Sequence, residues 1–130
     1  MGIEFWKDKE NKVINPQLFS EIADREAKKV HNAGENRNKP SQIRKFYDEV
    51  LRYDSIIKSE QGKFEEILPY INMLKAKAAY ALGRKHITEE FKELISDCLS
   101  QIHNKEDFDV FVNFFESFMG YYRFYRPKEN

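Results

Sequence analysis

Asn104-Lys105-Glu106-Asp107-Phe108-Asp109-Val110-Phe111-Val112-Asn113-Phe114-Phe115-Glu116-Ser117-Phe118-Met119-Gly120-Tyr121-Tyr122-Arg123-Phe124-Tyr125 reads as one long helix with a very wide apolar face. Asn104 suits the N-cap, because its side chain can accept from a free N–H of the first turn. Phe108, Phe111, Val112, Phe115, Phe118, Met119, Tyr122 and Tyr125 recur at three- and four-residue steps. Only Asp109, Asn113, Glu116, Ser117 and Gly120 leave a polar side. A helix this apolar is central in its fold or shared with a partner. Phe114, Tyr121 and Phe124 fall outside the main stripe and are the expected subunit-contact residues; the alternative is an unusually wide core.

The same period appears upstream. Residues 16–30 carry Leu18, Phe19, Ile22 and Val30 behind Asn15-Pro16, with Gly34 as the stop signal. Pro40 opens a helix to about Ser59 with Ile43, Phe46, Tyr47, Val50 and Ile57 inward, and Gln61-Gly62 breaks it. Phe64 to about Leu82 gives a third, with Pro69 expected in the first turn and Gly83 at the end. Thr88 caps a fourth, whose stripe includes Phe91, Leu94, Ile95, Cys98 and Ile102. The expected fold is all-α, a compact bundle of about five helices in one domain over residues 1–130. Residues 1–14 are expected as a flexible N-terminal arm, and the polar residues 31–39 as a mobile loop.

Composition narrows function. A chain of 130 residues with 41% hydrophobic content supports one core. The lone cysteine, Cys98, excludes an internal disulfide or cysteine-based zinc site and fits a reducing cytoplasm. No apolar run approaches the roughly 20 residues of a membrane span, and charged residues fill the start, so a cytoplasmic location without membrane contact is expected. The 22 basic and 22 acidic residues cancel overall but not locally. Residues 40–85 hold nine basic and six acidic side chains, net +3; residues 86–122 hold two and eight, net −6. A molecule so divided can turn one face to phosphates and another to a like neighbour.

Catalytic patterns are missing from the sequence. His31, His86 and His103 belong to no metal-binding pair, no phosphate loop is present, and no metal or other cofactor is expected. Arg25 and His31 resemble the Arg-x(4–6)-His signature of HEPN ribonucleases, but about 100° per residue puts them on different helix faces. The basic middle is more informative. Arg44, Lys45 and Arg52 flank the second helix, and Tyr70, Lys77 and Arg84 repeat every seven residues on the third, beside Tyr80. Such a flank can track a phosphate backbone; the plainer reading is a solvated helix face.

Three stretches carry a family resemblance: Ser41-Gln42-Ile43-Arg44-Lys45-Phe46-Tyr47, Leu74-Lys75-Ala76-Lys77-Ala78-Ala79-Tyr80-Ala81-Leu82-Gly83-Arg84, and Phe111-Val112-Asn113-Phe114-Phe115-Glu116-Ser117-Phe118-Met119-Gly120-Tyr121-Tyr122. In order and spacing they resemble the small subunit of type III-A (Csm-type) CRISPR RNA-guided interference complexes. The resemblance spans about residues 40–125 and leaves the first 39 as a variable arm. It implies a helical bundle that is not a nuclease. Several copies would stack along the guide RNA–target RNA duplex, beside the large subunit and backbone subunits, and hold its backbone without reading bases. Carried onto this sequence, it makes Arg44 and Lys45 the leading RNA contacts, then Lys75, Lys77 and Arg84; Arg52 is added from helix geometry. Self-association into dimers or short stacks is expected. The competing class is a helical protein–protein adaptor working through the aromatic last helix alone.

Overall fold

A computed structural model describes residues 2–59 and 63–129. Its elements are a hairpin of β1 (Trp6–Asp8) and β2 (Val13–Ile14), a π-helical turn Leu18–Ile22, and five helices. These are α1 (Ala23–Gly34), α2 (Pro40–Ser59), α3 (Phe64–Gly83), α4 (Glu89–Leu99) and α5 (Lys105–Tyr125). The fold is mostly α, as the periodicity predicts. The Gln61-Gly62 break lies outside the described residues.

The central position of α5 follows from its apolar width. It packs against α1, α2 and the π-helical turn, while α3 packs on α4 and α2. Its buried rings join those of α2 and α4: Phe115 meets Tyr47 at 5.3 Å between centroids, Phe46 meets Phe91 edge-on at 5.3 Å, and Phe118 stacks on Tyr122 at 5.6 Å. Each fully buried ring contributes about 2–3 kcal/mol of transfer free energy, so this seam supplies much of the core. Asn104 caps α5 as its residue type predicts, its Oδ1 accepting from the Asp107 backbone N–H at 2.8 Å.

Four expectations need correction. Residues 1–14 do not form a flexible arm: Ile3 and Phe5 are buried, and the Ile3 N–H donates to Asp97 Oδ2 at 2.9 Å. β1 pairs antiparallel with β2 in the register Trp6↔Ile14, and the Trp6 indole donates to Asp107 at 2.8 Å. The hairpin is too short for period-two alternation to mark it. Residues 31–39 are not a mobile loop either. α1 runs through His31 to Gly34, and Asn38 is fully buried in a hydrogen-bonded hub. Gly34 is the last residue of α1 rather than a left-handed stop; a Cβ there would lie 2.8 Å from Arg126 Nη1, and the positive φ falls on Glu35. Pro69 lies in the second turn of α3, on the exposed side, where losing one backbone hydrogen bond to water costs least.

Candidate nucleic-acid interface

The α2–α3 contact turns the two sequence-predicted basic flanks toward each other. Ile43, Phe46 and Val50 bury one side of α2, and Ile71, Leu74, Ala78 and Ala81 bury one side of α3. The residues beside those stripes then rim a groove of ≈ 350 Å³. Phe46 and Leu74 form its apolar floor, and Lys45, Lys77, Tyr80 and Arg84 stand around it. Tyr80 is 66% exposed, and Arg84 donates to its hydroxyl at 3.1 Å with the guanidinium 5.8 Å from the ring centroid. Among the described residues Lys45 and Lys75 have no ion-pair partner. Met73 and Tyr70 continue the exposed side of α3 one and two turns before Lys77.

Lys45, Lys77 and Arg84 are therefore brought together, and Arg52 joins them through Glu49. Glu49 accepts from Arg52 Nε at 2.9 Å and from Lys77 Nζ at 2.7 Å. Those two hydrogen bonds, Arg52 first, hold its carboxyl below the usual range although partial burial opposes them. Arg44 and Lys75 do not line this groove. Arg44 pairs with Asp48 at 3.8 Å and borders a second hollow, with Tyr47, Met119 and Phe124.

The subunit-contact set divides. Phe114 is 2% exposed and belongs to the core, so it presents nothing to a partner. Tyr121 is half-buried, and Phe124 is 77% exposed beside it. The stripe runs past Phe114 because α5 is enclosed on more sides than a surface helix.

Arg25 and His31, the pair that resembles the ribonuclease signature, each meet another side chain. Arg25 pairs with Glu26 at 3.4 Å, and His31 stacks on Tyr125 at 6.2 Å between centroids. Burial pushes the Cys98 thiol well above its ordinary range, with the charges of Asp97 and Glu26 adding to the effect. Among the described residues no three of His, Cys, Asp and Glu are grouped to hold a metal, and no helix is long and apolar enough to cross a membrane.

A basic groove on a mostly helical scaffold fits the resemblance carried by its residues, and a family comparison decides the matter. The family model described as Csm2 Type III-A matches residues 14–128. The chain belongs to the Csm2 Type III-A family. A Streptococcus thermophilus protein described as "CRISPR system Cms protein Csm2" is 28% identical over 92 residues, which cover 68% of this chain and 74% of that one. No solved structure matches the chain. Membership makes it a small subunit of a type III-A CRISPR effector complex. The Csm2 match begins at residue 14, so it takes in α1 and the Asn38 hub, which the resemblance from residue 40 onward left out.

Sequence reasoning missed Glu49, Gln42 and His86, which also line the groove. Glu49 carried a legible signal: Arg52 follows it by three residues, a helical ion-pair spacing. Its contact with Lys77, 28 residues away, left no local trace.

Proposed function

We propose that this chain is a non-catalytic component of its complex that lies in several copies along the guide RNA–target RNA duplex and holds the phosphate backbone without reading sequence. The observation that carries this reading is the α2–α3 groove, where Lys45, Lys77 and Arg84 converge with Tyr80 over an apolar floor. Cations at fixed spacing meet phosphates, and an exposed ring rests against a sugar or base of any identity. Arg52, Arg44 and Lys75 extend the basic surface beyond the groove. A few contacts per copy suffice where neighbouring copies share one duplex. On this reading its partners are the guide RNA and target RNA and the large and backbone subunits of the complex, in the cytoplasm.

The test is the variant with Arg44, Lys45, Lys77 and Arg84 all replaced by alanine. It should keep its helix content by circular dichroism, since exposed cations contribute little to stability. In the assembled complex its RNA affinity should fall by about tenfold or more, equally for unrelated sequences, and the slope of log affinity against log salt should flatten by about 0.7–0.9 per lost phosphate contact. Unchanged affinity and slope would reduce the groove to a solvated face. Purified alone, neither the wild-type protein nor the variant should cleave RNA, with or without divalent metal.

Phe124 supports a second contact surface. With 77% of the residue exposed beside Tyr121 and the half-buried Phe19, it is where self-association into dimers or short stacks would seat. Sedimentation at hundreds of micromolar should show association that weakens in Phe124→Ala. Strictly monomeric wild-type protein would remove this surface from the account.

A further inference from the structure

The cationic groove contains one side chain of the opposite sign, and it is well engaged. Glu49 stands on α2 one turn after Lys45 and reaches across to α3. Its Oε2 takes Lys77 Nζ at 2.7 Å, while Arg52 gives Nε to Oε1 at 2.9 Å and Nη2 to Oε2 at 3.5 Å. The Arg52 guanidinium also lies 4.8 Å from the Tyr53 ring centroid, which holds the fork in place. A carboxylate and a phosphate present the same thing to this fork: two oxygens sharing negative charge. The Nε–Nη2 edge of Arg52 and the ammonium of Lys77 are thus already satisfied by an anion of the protein's own. Lys45 and Arg84 are not tied in this way.

We propose that Glu49 is a resident anion in a phosphate position of the groove, which RNA must displace from Lys77 and Arg52. This deepens the RNA-backbone reading above and rests on it. Displacement is feasible because all three side chains are partly exposed, and exposed ion pairs are individually weak. The consequence is an interface whose single-copy affinity is held down, so that engagement depends on several copies meeting one long backbone. If Glu49 only positioned the two cations, its loss would weaken binding instead.

Glu49→Gln in the full chain separates the two. It removes the charge and keeps an amide that can still accept from Lys77 and Arg52. Binding to an RNA duplex and to its single strand is measured across a salt series, with Asp109→Asn as the control for general charge, since Asp109 pairs with Lys105 outside the groove and away from the proposed RNA contacts. Glu49→Gln should tighten duplex binding by about threefold to tenfold at low salt and steepen the salt slope by about 0.7–0.9, one added phosphate contact. Asp109→Asn should do clearly less. Binding that is unchanged, weaker, or improved no more than by Asp109→Asn overturns the proposal. Lys45→Ala with Arg84→Ala is run alongside. Unchanged affinity there defeats the interface reading itself, whereas weakened affinity there without tightening by Glu49→Gln defeats only the role of Glu49. Thermal unfolding verifies folding, and Glu49→Ala serves in its place should the glutamine variant not fold.

Discussion

Asp107→Ala should destabilise the fold by about 3 kcal/mol, because it strips the partner from two hydrogen-bond donors and one cation at a buried site. Asp107 is fully buried in the first turn of α5. Its Oδ1 accepts from the Trp6 indole at 2.8 Å, its Oδ2 accepts from the His103 backbone N–H at 2.9 Å, and Lys9 Nζ lies 3.7 Å away. One carboxylate thereby fastens the hairpin to the start of the central helix, and its charge faces the positive end of that helix. For a chain of this length the loss corresponds to a fall in Tm of about 10 °C. Trp6 is the only tryptophan, so its emission reports the hairpin directly. It should shift to the red in native Asp107→Ala as the indole loses its anchor. Asp107→Asn should fall between, since an amide oxygen can still accept from Trp6 while its NH2 group opposes the His103 N–H. A Tm within about 2 °C of wild type, together with unshifted emission, would show that Ile3 and Phe5 dock the segment alone.

Legibility followed the range of the interaction. The five helices could be read because three- and four-residue spacing is a local property, and α5 could be placed centrally because its apolar face is too wide for a surface helix. The Asn104 cap was legible for the same reason. What failed were assignments made from polarity alone. Residues 31–39 look like a loop because nothing within nine residues reveals that Asn38 is completed by Thr88, Tyr122 and Arg126. Residues 1–14 look like an arm because the partners of Ile3 and Trp6 are Asp97 and Asp107. Phe114 looked like a spare aromatic because helical phase cannot say how many sides of a helix are enclosed. In the groove, Lys45, Lys77 and Arg84 could be named from sequence, but their neutralising neighbour could not, since Glu49 meets Lys77 only across the α2–α3 packing. Even glycine signals shifted: the positive φ after α3 falls on Lys85, two residues past Gly83.

Asn38→Ala carries the larger stability penalty, about 4 kcal/mol, because three side-chain hydrogen bonds and a left-handed backbone are lost or strained together. Asn38 Nδ2 donates to the Val30 carbonyl at 3.0 Å and to Thr88 Oγ1 at 2.7 Å, and its Oδ1 accepts from the Thr88 N–H at 2.9 Å. The side chain thus closes the end of α1 and the start of α4 at once, and it occupies the hydroxyl that sequence assigns as the α4 cap. Its own carbonyl accepts from the Tyr122 hydroxyl and from Arg126 Nη1, which ties in the end of α5. Alanine leaves the Thr88 N–H buried without a partner and takes the second donor from the Val30 carbonyl, and water cannot replace the side chain at a fully buried site. The backbone φ of 57° adds strain for alanine that asparagine and glycine tolerate better. Asn38→Gly should therefore be less harmful than Asn38→Ala by about 1 kcal/mol, although it loses the same hydrogen bonds. Denaturant unfolding of the three proteins measures both differences. Equal stability of the glycine and alanine variants would remove the backbone contribution, and a loss below about 1 kcal/mol for both would mean that Tyr122 and Arg126 hold the hub without the side chain. Because the Asn38 side chain joins α1 to α4 while its carbonyl joins the loop to α5, the expected loss appears as one cooperative transition at lower denaturant, not as separate fraying of a loop.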